Sequence, residues 1–339
     1  MWRNKRSVKV ILYSTRSYEI DHFEESNRRN GFRMNMRYLN CRLNKNTVGD
    51  SFGYDVVCSF VHDVIDKNVL DLLFKNGVKM VALRCSGFDH VDLDHARGIG
   101  IHVTYAPDYS PESIAEYTVL LILYASRKLY LSLEGGEISE VGRTLKEQVV
   151  GVVGAGKIGS VVLKMISGFG SKLLACDPIV NLDIVQRYGV TYVGMDEILK
   201  SSDVISLNCP LNEDNYHLIN DDACKVMKYG AILVNTGRGE LVDSIAVLSA
   251  MKSKKIRCFC TDVIEKEHIL MKQKVSDVFQ NREEHQIYTT FRSLKRQKNF
   301  LFTGHKAFLT QTSLMNIADI TLHNIDNFKN GRPLKYQLT

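Results

Sequence analysis

The stretch that decides the fold runs from Val149 to Pro178 and reads VVGVVGAGKIGSVVLKMISGFGSKLLACDP. It opens with a valine-rich run and continues through three glycines spaced Gly-x-Gly-x-x-Gly, an amphipathic helical pattern and a second apolar run that ends at Asp177. A strand, a glycine turn and a helix in this order place the helix N-terminus where its free N–H groups meet a pyrophosphate. The pattern predicts dinucleotide binding, and the alternative interpretation is a purely structural glycine turn.

The three glycines and the final acid have separate expected purposes. Gly154 permits the tight turn, Gly156 lets a pyrophosphate approach the backbone, and Gly159 lets the helix pack close to the strand. Asp177, 18 residues after Gly159, can accept hydrogen bonds from an adenosine ribose and would repel a 2′-phosphate. We therefore expect NAD rather than NADP, against the alternative that this acid only caps a turn. The expected cofactor contacts in this stretch are Gly154, Ala155, Gly156, Lys157, Ile158, Gly159 and Asp177.

At 339 residues, the chain is long enough for two domains with sizeable cores. Strand and helix patterns alternate along it, which predicts an α/β fold of two Rossmann-like or flavodoxin-like parallel-sheet domains with a cleft between them. We expect 1–109 plus 308–339 to form the substrate domain and 110–307 to form the NAD-binding domain. A long helix starting at Ser110-Pro111 is apolar almost all round, so it crosses between domains or packs against a second subunit.

Composition excludes several classes of function. A net charge of +6 is mild and spread along the chain, so we expect no nucleic-acid partner. No stretch approaches the length of a membrane span, and the apolar run near the start is a short strand rather than a signal peptide. The eight cysteines include no CxxC pair, which favours reduced thiols and a cytoplasmic location. We expect no metal site.

Polar residues follow several predicted parallel strands, where open α/β sheets place their chemistry. An arginine, a glutamate and a histidine stand at these junctions: Arg238, Glu267 and His305. Reduction of a 2-oxo acid needs such a set, because a guanidinium holds the carboxylate and polarises the carbonyl, a histidine gives a proton, and a carboxylate orients the imidazole. A lone histidine after a strand is more often structural. Arg238, however, has glycines on both sides, which we interpret as room for a ligand.

The chain resembles the D-isomer-specific 2-hydroxyacid dehydrogenases and, within them, the fermentative D-lactate dehydrogenases of bacteria. The similarity extends over almost the whole chain, in the motifs LYSTRSYE, ALRCSGFDHVDLDHA, APDYSPESIAEYT, GVVGAGKIG, SDVISLNCPLNEDNYHLIN, VNTGRGELVDS, TDVIEKE and FLFTGHKAFLT. Most of the wider family has proline before the catalytic histidine, whereas this chain has Gly304, as in the subgroup.

The resemblance implies roles for individual residues. It makes Arg238 the substrate-binding catalytic arginine, Glu267 the catalytic glutamate and His305 the acid/base histidine. It implies backbone amides for the substrate carboxylate, a tyrosine that closes over the substrate and an aromatic pocket wall; these substrate contacts are Ser86, Gly87, Tyr109 and Phe308. It adds an aspartate near the nicotinamide amide and further cofactor-side residues; these are Asp262, Cys209, Pro210, Asn215, Thr236 and Gly237. The long helix from Ser110 resembles a dimerisation element, so we expect a homodimer.

Three features depart from the subgroup: the link 128–151 is short, the segment 267–305 is long, and Asn208 replaces a histidine. The catalytic set is intact, so we expect NADH-dependent reduction of pyruvate to D-lactate with His305 as the acid. The alternatives are a related enzyme acting on glyoxylate, hydroxypyruvate or a larger 2-oxo acid, and a regulatory protein that binds NAD.

Overall fold

The computed structural model describes residues 7–132, 141–270 and 282–339. The strands of these residues are β1 Lys9–Leu12, β2 Asn35–Tyr38, β3 Val56–Ser59, β4 Met80–Leu83, β5 His102–Thr104, β6 Val149–Val153, β7 Lys172–Cys176, β8 Thr191–Tyr192, β9 Val204–Leu207, β10 Ala231–Asn235, β11 Ile256–Thr261 and β12 Phe300–Phe302. The helices are α1 Ser17–Arg29, α2 Lys67–Lys75, α3 Leu93–Ile99, α4 Pro111–Ser126, α5 Leu129–Ser132, α6 Lys157–Ser167, α7 Leu182–Tyr188, α8 Met195–Ser201, α9 Asp221–Val226, α10 Ser244–Lys252, α11 Glu267–Leu270, α12 Arg282–Leu294 and α13 Gln311–Lys329.

The chain divides into two compact units, Met1–Ser110 with Leu309–Thr339, and Pro111–Phe308. The first unit contains a five-stranded sheet of order β2-β1-β3-β4-β5, and all of its pairings are parallel. Strands β3 and β4 are buried at every position, as expected for parallel strands covered on both faces. This strand order is that of flavodoxin-like folds.

The second unit contains a seven-stranded sheet of order β12-β11-β10-β9-β6-β7-β8, and again every pairing is parallel. Counted from β6, the order is that of a Rossmann sheet with one strand added at the β12 edge. The order reverses between β6 and β9, and this reversal is where such sheets bind their ligands. Because all of its strands run in one direction, their carboxyl ends lie along a single edge of the sheet.

Both sheets confirm the predicted fold class, two parallel α/β units. Sequence patterns did not predict β2 or the helices α3, α5, α7, α11, α12 and α13. The edge strand β2 carries no apolar run, because its side chains alternate between exposed and half-buried positions. Whether the first unit is the substrate domain stays a prediction.

Among the residues that the structure describes, no helix has both the length and the hydropathy that a membrane span requires.

Candidate active site

The glycine turn between β6 and α6 has two glycines that the protein's own packing requires and one that opens outward. Gly154 has φ of +85°, and a Cβ there would lie 2.5 Å from the amide nitrogen of Cys209. A Cβ on Gly159 would lie 1.9 Å from the carbonyl oxygen of Gly154, whereas one on Gly156 would meet nothing within 4 Å. The open side of Gly156 therefore adjoins the N-terminus of an 11-residue helix, which is an arrangement that fits a pyrophosphate.

Asp177 lies directly after β7 and joins that strand end to the glycine turn. Its Oδ2 accepts a hydrogen bond from the Ala155 amide at 2.8 Å, and its Oδ1 accepts one from the Ile179 amide at 2.8 Å. These bonds fix the half-buried carboxylate beside the turn. The structure thus places Asp177 with the three glycines, and its contact with a ribose stays a prediction.

The predicted cofactor-side residues after β9 and β10 also come together. Asn215 donates from Nδ2 to the carbonyl of Pro210 at 2.7 Å. A Cβ on Gly237 would lie 2.9 Å from the carbonyl oxygen of Cys209, so the two loops are in close contact. Burial raises the pKa of the Cys209 thiol to about 11, so this thiol stays protonated at neutral pH and is a poor nucleophile.

A chain of hydroxyl and amide groups holds the same two loops, and sequence reasoning missed most of it. Ser206 Oγ donates to Asn208 Oδ1 at 2.8 Å, Asn208 Nδ2 donates to Thr236 Oγ1 at 3.1 Å, and Thr236 Oγ1 lies 2.8 Å from Thr118 Oγ1. Asn208 had been noted only as a departure from the family. The signal for Thr118 was its hydroxyl directly before the apolar run of α4, 119–123.

Arg238 follows β10, and its neighbouring glycines have a different purpose from the one expected. Its NH1 donates to the carbonyl of Gly237 at 3.0 Å, and its own carbonyl accepts from Asn235 Nδ2 at 2.8 Å. A Cβ on Gly239 would lie 2.0 Å from the carbonyl carbon of Ile264. The interpretation that the flanking glycines leave room for a ligand was wrong, because the backbone of the loops after β9 and β11 fills that space.

His305 and Glu267 form a pair at the ends of β12 and of the loop after β11. His305 Nδ1 lies 3.1 Å from Glu267 Oε2, and the two side chains are 21% and 11% exposed. His305 has φ of +58° and Gly304 has φ of +76°. Proline cannot adopt the latter value, since its ring fixes φ near −65°. The Gly304 noted in the sequence thus shapes the turn that presents the histidine.

Asp262 stabilises the turn that contains Gly304 and His305. Its carboxylate is buried, at 2% exposure, and accepts hydrogen bonds from the Lys306 amide at 2.8 Å, the Ala307 amide at 2.9 Å and Thr303 Oγ1 at 2.5 Å. The Asp262 carbonyl also accepts from the His305 amide at 2.7 Å. Asp262 therefore holds the backbone that carries His305, and its expected contact with the nicotinamide stays a prediction.

The predicted substrate contacts lie partly in the first unit. Ser86 and Gly87 lie in the loop after β4, where the Cys85 thiol donates to the Gly87 carbonyl at 3.2 Å. The carbonyl of Tyr109 accepts from Asn316 Nδ2 at 2.7 Å. Phe308 is the last residue of the second unit and is buried, at 6% exposure. The roles of these residues toward a substrate stay predictions.

Comparison with known proteins assigns the family. Residues 121–307 match the family model described as D-isomer specific 2-hydroxyacid dehydrogenase, NAD binding domain. The chain is 40% identical over 336 residues to a 2-hydroxyacid dehydrogenase homolog of Haemophilus influenzae, covering 96% of this chain and 97% of that one. This chain belongs to the D-isomer-specific 2-hydroxyacid dehydrogenase family, and it is an NAD-dependent oxidoreductase.

Within the family, the similarity to D-lactate dehydrogenases extends over the full length. The chain is 38% identical to the D-lactate dehydrogenase of Escherichia coli over 342 residues, covering 98% of this chain and all of that one. The apo structure of that enzyme superimposes with a TM-score of 0.85, at 35% identity over 98% of this chain and all of that chain. The D-lactate dehydrogenase of Aquifex aeolicus, solved with NAD and lactic acid, gives a TM-score of 0.81 at 30% identity over 95% of this chain and 96% of that chain.

Two of the departures from the subgroup extend beyond the residues that the structure describes. The short link 128–151 includes 133–140, and the long segment 267–305 includes 271–281.

Proposed function

We propose that this chain is an NAD-dependent D-lactate dehydrogenase that reduces pyruvate to D-lactate. The observation that carries the proposal is the His305–Glu267 pair, with 3.1 Å between Nδ1 and Oε2, at the sheet edge that also holds Arg238 and the glycine turn. An acid, a guanidinium and a dinucleotide turn at one edge are the parts that hydride reduction of a 2-oxo acid requires. The full-length similarity to the D-lactate dehydrogenase of Escherichia coli supports pyruvate as the substrate.

The residues that hold the cofactor follow from the glycine turn. The N–H groups at the start of α6, beside Gly156, bind the pyrophosphate, and Asp177 accepts hydrogen bonds from the adenosine ribose. The loops that contain Pro210, Asn215 and Thr236 follow β9 and β10, and they form the wall of the cofactor site on that side of the reversal in strand order. When bound, NADH supplies the hydride that reduces C2 of the substrate.

The protein's own part in the reaction is to bind the substrate and to supply one proton. In this proposal, Arg238 holds the substrate carboxylate and polarises the carbonyl through its forked N–H groups. The backbone amides of Ser86 and Gly87 bind the carboxylate as well, while Tyr109 and Phe308 surround the substrate. His305 donates from Nδ1 to Glu267, so Nε2 passes the proton to the oxygen at C2 as the hydride arrives. Glu267 stabilises the protonated imidazole that reduction consumes.

A rate assay with purified protein tests the proposal. The loss of NADH is measured with pyruvate and, in parallel, with glyoxylate, hydroxypyruvate and phenylpyruvate, and the product is analysed for its D or L configuration. We expect the highest kcat/KM with pyruvate and a D product. A higher kcat/KM with another 2-oxo acid would assign the chain to a related enzyme of the family. Absence of turnover with every acid, together with tight NADH binding, would favour an NAD-binding regulatory protein.

We also propose a cytoplasmic homodimer. Helix α4 packs against α6, β10 and β11 of its own unit, yet its Leu120 side chain is 54% exposed. A single exposed leucine is common on protein surfaces, so the support for a subunit contact is the resemblance of α4 to the family's dimerisation element. The eight cysteines all lie in described residues and form no disulfide bond, which supports a reducing compartment. Light scattering coupled to gel filtration measures the mass, and we expect twice that of the chain.

A further inference from the structure

A second histidine–carboxylate pair lies in the same unit and has no assigned purpose. His217 Nε2 is 2.9 Å from Glu265 Oε1, and the Glu265 side chain is only 6% exposed. The Tyr216 ring stacks on the imidazole, with 4.1 Å between ring centroids, and its hydroxyl donates to the same Glu265 oxygen at 3.5 Å. Burial and the charge of Glu265 raise the pKa of the Tyr216 phenol, so this donor keeps its proton.

The pair stands next to a turn that needs support. Lys266, directly after Glu265, has φ of +47°, a left-handed conformation that residues other than glycine rarely adopt. Such conformations persist where the surrounding structure holds them. The Lys266 amide donates to Glu240 Oε1 at 3.2 Å, and the Glu240 carbonyl accepts from the His217 amide at 2.8 Å. The Lys266 ammonium pairs with Glu283 of α12.

This turn places Glu267 beside His305. Glu267 is the next residue along the chain, and it meets His305 through the 3.1 Å contact between Oε2 and Nδ1. Catalytic groups have to be held to within about half an ångström to be productive. A shift of the Lys266 turn would therefore separate the glutamate from the imidazole that it orients.

Without its histidine, the buried Glu265 carboxylate would keep, among the residues that the structure describes, only the long hydrogen bond from Tyr216. A buried charge that loses its donor relaxes toward water or toward another donor. That movement would pull the Lys266 turn away from Glu240. The hydrogen bonding of the Glu265 carboxylate is thus coupled to the position of Glu267.

We propose that His217 and Glu265 are positioning residues, which clamp the Lys266 turn so that Glu267 stays in place beside His305. The proposal rests on the function proposed above, since it needs His305 to be the acid. His217 also follows the cofactor-side loop of Pro210 and Asn215, and the pair therefore joins that loop to the catalytic glutamate.

The test compares His217→Leu, which removes the donor, with His217→Gln, whose amide nitrogen can lie near the position of Nε2. The matched control is His95→Leu, because His95 Nε2 makes a similar contact, 2.7 Å from Asp71 Oδ1, in the other unit. Each variant is measured for kcat and KM with pyruvate, for NADH affinity by fluorescence titration and for thermal denaturation. We expect His217→Leu to lower kcat by roughly tenfold or more, with KM and NADH affinity within about threefold of wild type.

The conservative variant separates positioning from a merely structural role. We expect His217→Gln to recover kcat to within about threefold of wild type, and His95→Leu to leave every parameter unchanged. Wild-type kcat in His217→Leu would overturn the proposal. So would a His217→Gln variant no better than His217→Leu, or a loss of kcat matched by an equal loss of NADH affinity, because these results assign His217 to the cofactor loop or to general stability.

Glu265→Gln and His305→Gln are measured in addition. If His217→Leu does not fold, Glu265→Gln replaces it, because it keeps the shape of the side chain and removes its charge. We then expect kcat to fall by about threefold or more with NADH affinity unchanged, and an unchanged kcat would overturn the clamp. Failure of the function itself is seen separately, as full turnover in His305→Gln, whatever the His217 variants show.

Discussion

Two variants of the nucleotide turn, Gly159→Ala and Gly156→Ala, distinguish glycines that protein packing requires from glycines that cofactor binding requires. At position 159, the new Cβ would lie 1.9 Å from the Gly154 carbonyl oxygen, against an ordinary contact of 3.4 Å or more, so about 1.5 Å must be recovered by movement of the backbone. At position 156, the new Cβ would meet no protein atom within 4 Å. The first variant therefore strains the protein, and the second strains only a bound ligand.

The magnitudes follow from these distances. Overpacking of this kind costs about 1–3 kcal/mol, and replacing a helical glycine by alanine returns up to about 1 kcal/mol. Because the obstructing atom belongs to the backbone, we take the upper end of that cost and expect Gly159→Ala to lose about 2 kcal/mol, which for a unit of this size lowers Tm by about 4–8 °C. Gly156 is the helix N-cap, where alanine is less favourable than glycine, but the new Cβ meets no protein atom, so the stability of Gly156→Ala should stay within about 1 kcal/mol of wild type.

Cofactor affinity should respond in the opposite way. A methyl group at position 156 stands where the pyrophosphate approaches the helix N-terminus, and we expect NADH to bind about tenfold more weakly, or about 1.4 kcal/mol. Thermal denaturation and NADH fluorescence titration of both variants measure the two effects. Wild-type NADH affinity in Gly156→Ala would refute the placement of the pyrophosphate, and an unchanged Tm in Gly159→Ala would refute the packing argument.

Three further predictions concern the acid, the guanidinium and the ribose carboxylate. His305→Gln should retain NADH binding and lose roughly two orders of magnitude or more in turnover; near-native turnover of the variant would identify another acid. Arg238→Lys should lose both pyruvate affinity and kcat. Arg238→Gln should be worse, because removal of the charge costs on the order of 3 kcal/mol in the transition state relative to wild type. Collapse of NADH binding with normal pyruvate kinetics would instead make Arg238 a cofactor ligand. Asp177 should enforce a strong preference for NADH, because a 2′-phosphate would face its carboxylate, and comparable kcat/KM with NADPH would contradict this.

Local patterns were sufficient for the second sheet and for the glycine turn. The spacing of Gly154, Gly156 and Gly159 predicted a turn between a strand and a helix, because each glycine answers a steric demand that acts over a few residues. Buried parallel strands are continuous apolar runs, so β6, β7, β9 and β10 were visible in the sequence. Edge and amphipathic elements such as β2 have no such run and were missed.

The sequence also indicated which junctions hold polar chemistry, through Arg238, Glu267 and His305. It could do so because parallel strands end at one edge, and residues after them are neighbours wherever they lie in the chain. The sequence did not indicate which groups these residues contact. The glycines beside Arg238 suggested ligand space, whereas the structure fills that space with the backbone of Ile264 and Cys209.

The sequence by itself therefore determined the fold class and the dinucleotide turn, and it predicted which residues are reactive. Tertiary structure alone decided how these residues are held: Asp262 under the histidine turn, the Thr118–Thr236 contact, and the pair of His217 with Glu265. The partners in these contacts are 45, 118 and 48 positions apart. The physical reason is that periodicity and turn chemistry act between near neighbours, whereas a buried carboxylate takes its donors from whichever segments the folded sheet brings to its side.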